Sequence, residues 1–97
     1  MQRPSTGLDY AQRIARVVDH IARHLDTPLD VARLAEIACF SPFHFHRIYR
    51  TQTGETIAQT VRRYRLHRAA AELVGEALPV PRIARRAGYA STEAFTR

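Results

Sequence analysis

Apolar side chains recur at helical spacing along most of the chain, and no stretch alternates as a strand would. Between Leu8 and Leu25 they form one stripe, which predicts a first, amphipathic helix. The charged residues of this segment, Arg13 among them, are expected to face mostly outward. Asp9 with Arg13, and Asp19 with Arg23, are spaced as i,i+4 ion pairs.

Capping residues delimit the next two predicted helices. Asp30 is placed to cap a second helix that reaches about Ala38. Ser41 caps a third helix and Pro42 suits its first position. Gly54 is placed to end this third helix in the left-handed conformation.

The second half of the chain predicts three more helices. Thr56 to Gln59 reads as a capping box that opens a fourth, longer helix, which Gly75, Pro79 and Pro81 then end. A fifth helix is predicted over residues 82–87, and a sixth follows Ser91.

The chain also repeats itself, which is its most informative feature. At a shift of 49 residues, identical residues pair as follows: Leu29 with Leu78, Val31 with Val80, Arg33 with Arg82, Ala35 with Ala84, and Ala38 with Ala87. At a shift of 50, the pairs are Ser41 with Ser91, Phe45 with Phe95, and Arg47 with Arg97. Each copy reads as a short helix, a tight turn and a Ser-capped helix, which is the helix-turn-helix pattern.

The predicted fold is therefore all-α, with two homeodomain-like helix-turn-helix subdomains joined by a long linker helix. Its predicted parts are a disordered tail at 1–7, a first subdomain at 8–54, the linker helix at 55–75 and an incomplete second subdomain at 76–97. A duplicated helical hairpin used only for packing is the alternative reading of the topology.

The outward face of the third helix favours DNA binding. Phe45, Ile48 and Tyr49 take the inward stripe. The outward positions are Pro42, Phe43, His46, Arg47 and Arg50. This face offers an apolar contact for a thymine methyl, donors for base edges and cations for phosphates.

Composition and charge agree with a polyanionic partner. The formal net charge is +6, and all 15 basic residues are arginine, whose fork suits phosphate and guanine. The single cysteine rules out an internal disulfide and fits a reducing, cytoplasmic setting. No apolar run is long enough to predict a membrane span.

Other functions are weighed against DNA binding. A metal site is the enzyme-class alternative, since six side chains could serve as ligands: His20, His24, His44, His46, His67 and Cys39. These are interpreted as solvated residues, and no metal ligand, catalytic residue or cofactor is predicted. The second alternative is a truncated partner-binding or anti-activator fragment that does not read DNA by itself.

Three parts of the chain, each given by its matching residues, resemble the AraC/XylS family of transcriptional regulators. Leu34-Ala35, the run from Ser41 to Arg50 and Thr53–Thr56 are similar to that family's first helix-turn-helix. Residues 62–69 resemble its linker helix. Residues 83–84, 87–89 and 91–97 resemble its second helix-turn-helix.

The resemblance implies bacterial, sequence-specific, double-stranded-DNA-binding proteins that activate or repress transcription and often touch RNA polymerase. It places the first set of DNA contacts at the outward positions of the third helix. It places the second set at Thr92, Glu93, Thr96 and Arg97. The run from Ser41 to His46 is similar to regulators in which a GyrI-like domain follows, so a small-molecule effector would act through a domain absent from these residues.

Three departures from the family pattern carry expectations. Cys39 stands where the first turn usually has glycine, so the turn is expected to be strained if that residue has positive φ. Thr60 replaces a tyrosine, which is expected to weaken the packing of the linker helix. The chain ends at Arg97, so the second unit is expected to grip DNA poorly by itself.

Overall fold

A computed structural model describes residues 6–75 and 78–96, and these form six α-helices with no strand among them. The helices are α1 (Thr6–Arg23), α2 (Val31–Ile37), α3 (Pro42–Thr53), α4 (Ile57–Gly75), α5 (Val80–Arg86) and α6 (Thr92–Thr96). The predicted all-α fold is confirmed. Of the predicted tail, residues 1–5 lie outside the described residues, and α1 already begins at Thr6.

The chain divides into two compact units between Thr60 and Val61. In the first unit, α1, α2 and α3 each contact the other two. Their apolar stripes meet in one core, and its fully buried members are Val17, Ile21, Leu34, Ala35, Ala38 and Phe45. Burying these side chains supplies the main stabilisation of the unit, because α2 with 7 residues and α3 with 12 are too short to persist alone.

The second unit has a smaller core, built on the part of α4 that follows Thr60. Ala69, Ile83 and Ala87 are its buried centre. Three partly buried side chains pack around them: Leu78, Tyr89 and Phe95. The rings of Tyr89 and Phe95 meet edge to face at 5.5 Å between centroids, which closes this core between α5 and α6.

Local sequence signals determine where the central helices begin and end. The Ser41 side chain accepts a hydrogen bond from the His44 amide, and Gly54 ends α3 at φ 80. At the start of α4, the Thr56 amide donates to the Gln59 side chain at 2.8 Å and the Gln59 amide donates to the Thr56 hydroxyl at 3.1 Å. The capping box and the glycine cap are both confirmed.

Helix α5 begins earlier than predicted, at Val80 instead of Arg82. Pro79 is its N-cap and Pro81 lies in its first turn. A proline is tolerated there because the first amides of a helix have no partner within it. The prediction from the sequence used these prolines only to mark the end of α4. In the structure they lie at the start of α5.

The long helix α4 buries only part of its apolar stripe. Ile57 and Ala69 are buried, whereas Ala70 is exposed and Leu73 is 41% exposed. Within the described residues, no helix is long and apolar enough to cross a membrane.

Candidate nucleic-acid interface

Helix α3 separates a buried face from an exposed one. Phe45 and Tyr49 are buried against the core of the first unit, and Ile48 is half-buried. The predicted contact positions all lie on the exposed face: Pro42, Phe43, His46, Arg47 and Arg50. The structure therefore brings the first predicted set together on one accessible surface, which we call the α3 face.

Phe43 is the most unusual member of the α3 face. It is 85% exposed, and its ring meets that of His44 edge to face at 5.3 Å between centroids. A solvent-facing phenylalanine contributes little to folding, because burial is what makes an aromatic side chain stabilising. The exposed Phe43 ring leaves apolar surface accessible to a binding partner.

The turn between α2 and α3 holds an unusual backbone conformation. Cys39 has φ 59, and it is the one non-glycine residue with positive φ in the described chain. The amide of Cys39 donates to Glu36 O at 2.9 Å, and the amide of Phe40 donates to Ala35 O at 2.9 Å. The expected strain at Cys39 is therefore present, since a left-handed residue with a Cβ is disfavoured.

Arg13 holds this turn from α1. Its Nε donates to Ala38 O at 2.6 Å, and its Nη2 donates to Cys39 O. Its guanidinium lies over the Phe40 ring at 3.8 Å, and Asp9 pairs with Nη1 at 3.1 Å. The predicted Asp9–Arg13 pair is confirmed, but the expectation that Arg13 faces outward is wrong. Its side chain is 19% exposed because the turn carbonyls attract it inward.

Thr60 joins α4 to the base of α3. It is fully buried, and its hydroxyl is hydrogen-bonded to the Tyr49 hydroxyl. That Thr60 packs more weakly than a tyrosine therefore stays a prediction, although its side chain is fully buried here. The Thr60 hydroxyl supplies a hydrogen-bond partner to the buried Tyr49 hydroxyl, which offsets part of the cost of removing both groups from water.

The second predicted set of contacts lies on and after α6. The Ala94 amide donates to the Ser91 side chain at 3.1 Å, as at the start of α3. Glu93 and Thr96 are exposed and Thr92 is half-buried. Arg97 lies outside the described residues.

The two turns of the repeat share a residue with positive φ and the same pattern of amide hydrogen bonds. Gly88 matches Cys39 in the repeat and has φ 94. Its amide donates to Arg85 O at 3.0 Å, and the Tyr89 amide donates to Ala84 O at 3.0 Å. Both units thus contain a short helix, a left-handed turn residue and a Ser-capped helix.

Charged groups in the second unit form a network that the sequence pattern does not predict. Glu72 lies 3.1 Å from Arg86 Nε and 3.6 Å from Arg68 Nε. Arg68 Nη2 also donates to Arg86 O at 3.0 Å, near the end of α5. The i,i+4 spacing of Arg68 and Glu72 is the available signal, but Arg86 joins them only through the tertiary fold.

The histidines form no metal site within the part of the chain that the structure describes. His20 and His24 stack with ring centroids 4.0 Å apart, and the His24 Nδ1 lies 2.8 Å from His20 O. Burial lowers the pKa of His20 from its usual 6.5, helped by His24 and Arg33 and opposed by Asp19. In the described residues, no three His, Cys, Asp or Glu side chains are placed to share a metal ion.

Comparison with known proteins assigns this architecture to a family. A family model described as a helix-turn-helix domain matches residues 34–97. The regulatory protein SoxS of Salmonella typhimurium is 32% identical over 90 residues, which cover 93% of this chain and 84% of SoxS. The chain belongs to the AraC/XylS family. The SoxS protein of Escherichia coli K12 is 31% identical over the same shares.

Other relatives of this AraC/XylS chain differ more in length. The multiple antibiotic resistance protein MarA of Salmonella typhimurium is 27% identical over 84 residues, which cover 87% of the chain and 66% of MarA. The uncharacterized HTH-type transcriptional regulator YbfP of Bacillus subtilis is 33% identical over 88 residues. These cover 91% of the chain but only 30% of YbfP.

Family membership and fold together assign the general function. The AraC/XylS chain is a DNA-binding transcription regulator. The named relatives are regulators and resistance proteins, and none has the name of an enzyme.

Proposed function

We propose that the chain reads double-stranded DNA in a sequence-specific way, with α3 and α6 as the helices that enter the major groove. The observation that carries this proposal is the α3 face, where an 85% exposed phenylalanine lies among one histidine and two arginines. A recognition helix needs this mixture, because base edges, thymine methyls and phosphates each require a different side chain.

Each side chain of the α3 face has a proposed role. Arg47 forks onto a base edge, preferably guanine, and Arg50 binds a phosphate. Phe43 meets a thymine methyl or a backbone sugar. His46 bonds a base edge or a phosphate, and Pro42 lies at the first position of the helix, beside the backbone.

The second unit contributes fewer proposed contacts. Thr92 and Thr96 are proposed to bond bases or phosphates at the second site, together with Arg97. Glu93 accepts from a cytosine amine, because a carboxylate placed against phosphates would be repelled.

Wider assignments rest on the family relationship. We propose that the chain acts in the cytoplasm, that it contacts RNA polymerase, and that an effector acts through a domain outside these residues. The formal charge of +6 supports attraction to DNA but does not select a sequence.

The experiment that tests this proposal compares two arginines of the α3 face. Selection of preferred duplexes from a random pool, followed by binding titrations, is expected to show that Arg47→Ala relaxes preference at one base pair and costs about 1–3 kcal/mol. Arg50→Ala should weaken all duplexes alike and flatten the salt dependence.

Arg23→Ala is the matched control, since Arg23 is an exposed arginine that pairs with Asp19 on α1 at 3.2 Å. It should leave sequence preference unchanged. If Arg47→Ala retained both affinity and preference, the proposed role of α3 would be wrong. A wild-type chain that bound protein but no duplex would favour the partner-binding alternative.

A further inference from the structure

An arginine from a preceding helix contacts the turn of each helix-turn-helix copy. In the first unit, Arg13 of α1 donates to the carbonyls of Ala38 and Cys39. In the second unit, Arg68 of α4 donates at 3.0 Å to the carbonyl of Arg86, the last residue of α5. The last carbonyls of a helix have no partner within that helix, so a guanidinium from outside can satisfy them. We call Arg13 and Arg68 the turn arginines.

The internal repeat does not by itself supply the two turn arginines. At the 49-residue shift, Arg13 pairs with Arg62, which is exposed. The contact in the second unit comes instead from Arg68, 18 residues before Arg86, whereas Arg13 lies 25 residues before Ala38. The same type of contact thus recurs at positions that the repeat does not relate. This recurrence favours a requirement of the turn over a by-product of the repeated sequence.

All three nitrogens of the Arg13 guanidinium have partners. Nε and Nη2 donate to the two turn carbonyls, and Nη1 lies 3.1 Å from the Asp9 carboxylate. The guanidinium carbon lies over the Phe40 ring, 3.8 Å from its centroid. The core also fixes the helix that carries this side chain, because Ile14 and Val17 of α1 are buried. The Arg13 contacts therefore hold the turn carbonyls in place relative to α1.

The turn determines the direction in which α3 leaves α2. Helix α3 begins at Pro42, so Arg47 lies about 7.5 Å along it at 1.5 Å per residue. A change of about 10° in the direction of α3 would move Arg47 by about 1.3 Å over this length. A binding side chain has to stay within about 0.5 Å of its productive position. A small change at the turn is therefore enough to displace Arg47 from a base edge.

We propose that Arg13 is a positioning residue for the α3 face. Phe45 and Tyr49 seat the middle of α3 on the core, and Arg13 fixes the turn from which the helix begins. Arg13 thereby sets where the Arg47 guanidinium meets a base edge, although it does not itself bind DNA. This inference rests on the proposed function and adds a residue outside α3 to the groups that determine sequence preference.

The test measures sequence discrimination in the folded chain, which a contribution of Arg13 to stability alone would leave unchanged. Arg13 is the turn arginine to test, because Arg68 also pairs with Glu72. Arg13→Gln and Arg13→Lys are titrated with the preferred duplex and with one changed at the base pair assigned to Arg47. The temperature is one at which circular dichroism shows each variant fully folded.

Both Arg13 variants should lower the ratio of the two affinities by about 5-fold or more. One bidentate base contact gives discrimination of about 5- to 150-fold, and a displaced Arg47 loses part of it. Lysine keeps the positive charge, but it lacks the planar fork that bonds both turn carbonyls. Loss of discrimination in Arg13→Lys as well as Arg13→Gln therefore indicates geometry as the cause, and not charge.

The salt dependence separates positioning from direct contact with DNA. If Arg13 acts through the turn, Arg13→Gln should keep the wild-type slope of log K against log salt, since no phosphate contact is lost. A slope that flattens by about 0.9 would show that Arg13 neutralises a phosphate itself, which contradicts the inference.

A double variant and a matched control complete the test. Arg13→Gln added to Arg47→Ala should lose no more discrimination than Arg47→Ala alone, because the contact that Arg13 positions is already gone. Additive losses of discrimination would count against positioning. Arg23→Gln is the control: this exposed α1 arginine also pairs with an aspartate, Asp19, at 3.2 Å. It should leave both the affinity ratio and the salt slope unchanged.

The outcomes separate this inference from the proposed function. If Arg47→Ala loses discrimination and both Arg13 variants keep it, only this inference is overturned. If the wild type binds no duplex, the proposed function is overturned with it. If neither Arg13 variant folds, Asp9→Asn decides, because it removes the charge that orients Nη1 and leaves both turn hydrogen bonds in place. The affinity ratio should fall there by a smaller factor, and an unchanged ratio would refute the inference.

Discussion

The repeat places a cysteine and a glycine at the same left-handed turn position, and this pair allows backbone strain to be measured. Cys39 has φ 59 and Gly88 has φ 94, with matching amide hydrogen bonds around them. A left-handed residue with a Cβ costs about 1–2 kcal/mol relative to glycine. Glycine also makes the unfolded chain more flexible, which lowers the free energy of unfolding by about 0.4–1 kcal/mol and so offsets part of this gain. Cys39→Gly should therefore stabilise the chain by about 0.5–1 kcal/mol.

The surroundings of the turn indicate that the free-energy change of Cys39→Gly comes from the backbone conformation alone. Cys39 is exposed, so removing its side chain opens no cavity. The Arg13 hydrogen bonds go to the carbonyls of Ala38 and Cys39, which the substitution leaves in place. At Gly88, an added Cβ would lie 3.5 Å from Arg65 Nη1, which is an ordinary contact. Gly88→Ala should thus lose about 0.5–1 kcal/mol by the same reasoning.

Thermal unfolding followed by circular dichroism, with urea titrations beside it, measures both changes. For a domain of this size the expected shifts are about 2–8 °C, upward for Cys39→Gly and downward for Gly88→Ala. Cys39→Ala is the control, because it removes the thiol but keeps the Cβ, and it should melt near the wild type. A Cys39→Ala variant as stable as Cys39→Gly would refute the argument from φ. A Cys39→Gly variant that melts below the wild type would refute it as well.

Two further predictions concern buried hydroxyls and pH. Thr60→Val removes the hydrogen bond to Tyr49 and should cost about 0.5–1.5 kcal/mol by urea titration. In a double-mutant cycle with Tyr49→Phe, the combined loss should be smaller than the sum of the two single losses, and fully additive losses would contradict the pairing. Because burial lowers the pKa of His20 below 6.5, the unfolded state binds its proton more readily, and stability should fall as the pH drops below 6.5 towards the lowered pKa. His20→Asn should flatten the dependence of urea midpoints on pH below that value, and an unchanged pH profile would count against this assignment.

Features determined by neighbouring residues could be predicted from the sequence. The caps at Ser41 and Thr56 are predicted correctly because both partners of each hydrogen bond lie within three residues. The exposed side of α3 follows from helical periodicity, since Phe45 and Tyr49 are one turn apart. Pro79 is ambiguous in the sequence because proline suits both the end of one helix and the start of the next.

Features that join distant residues could not be predicted in the same way. Arg13 lies 25 residues before Ala38, and its i,i+4 partner Asp9 suggests a solvent-facing pair. The size of Thr60 is evident in the sequence, whereas its position opposite the Tyr49 hydroxyl depends on how α4 packs. The charge difference between Glu36 and Arg85 is visible in the repeat, whereas the placement of Glu72 3.1 Å from Arg86 Nε depends on the tertiary fold.

The Arg13 contacts also set the smallest fragment that would keep the α3 face in its observed arrangement. A fragment of α2 and α3 alone would lack the guanidinium that bonds both turn carbonyls, so the angle between its helices would be poorly held. It would also lack the Thr60 hydroxyl beneath Tyr49. Grafting the α3 face onto another scaffold should therefore require the whole stretch from Asp9 to Thr60, because a shorter insert would carry the same side chains without the contacts that fix the angle between α2 and α3.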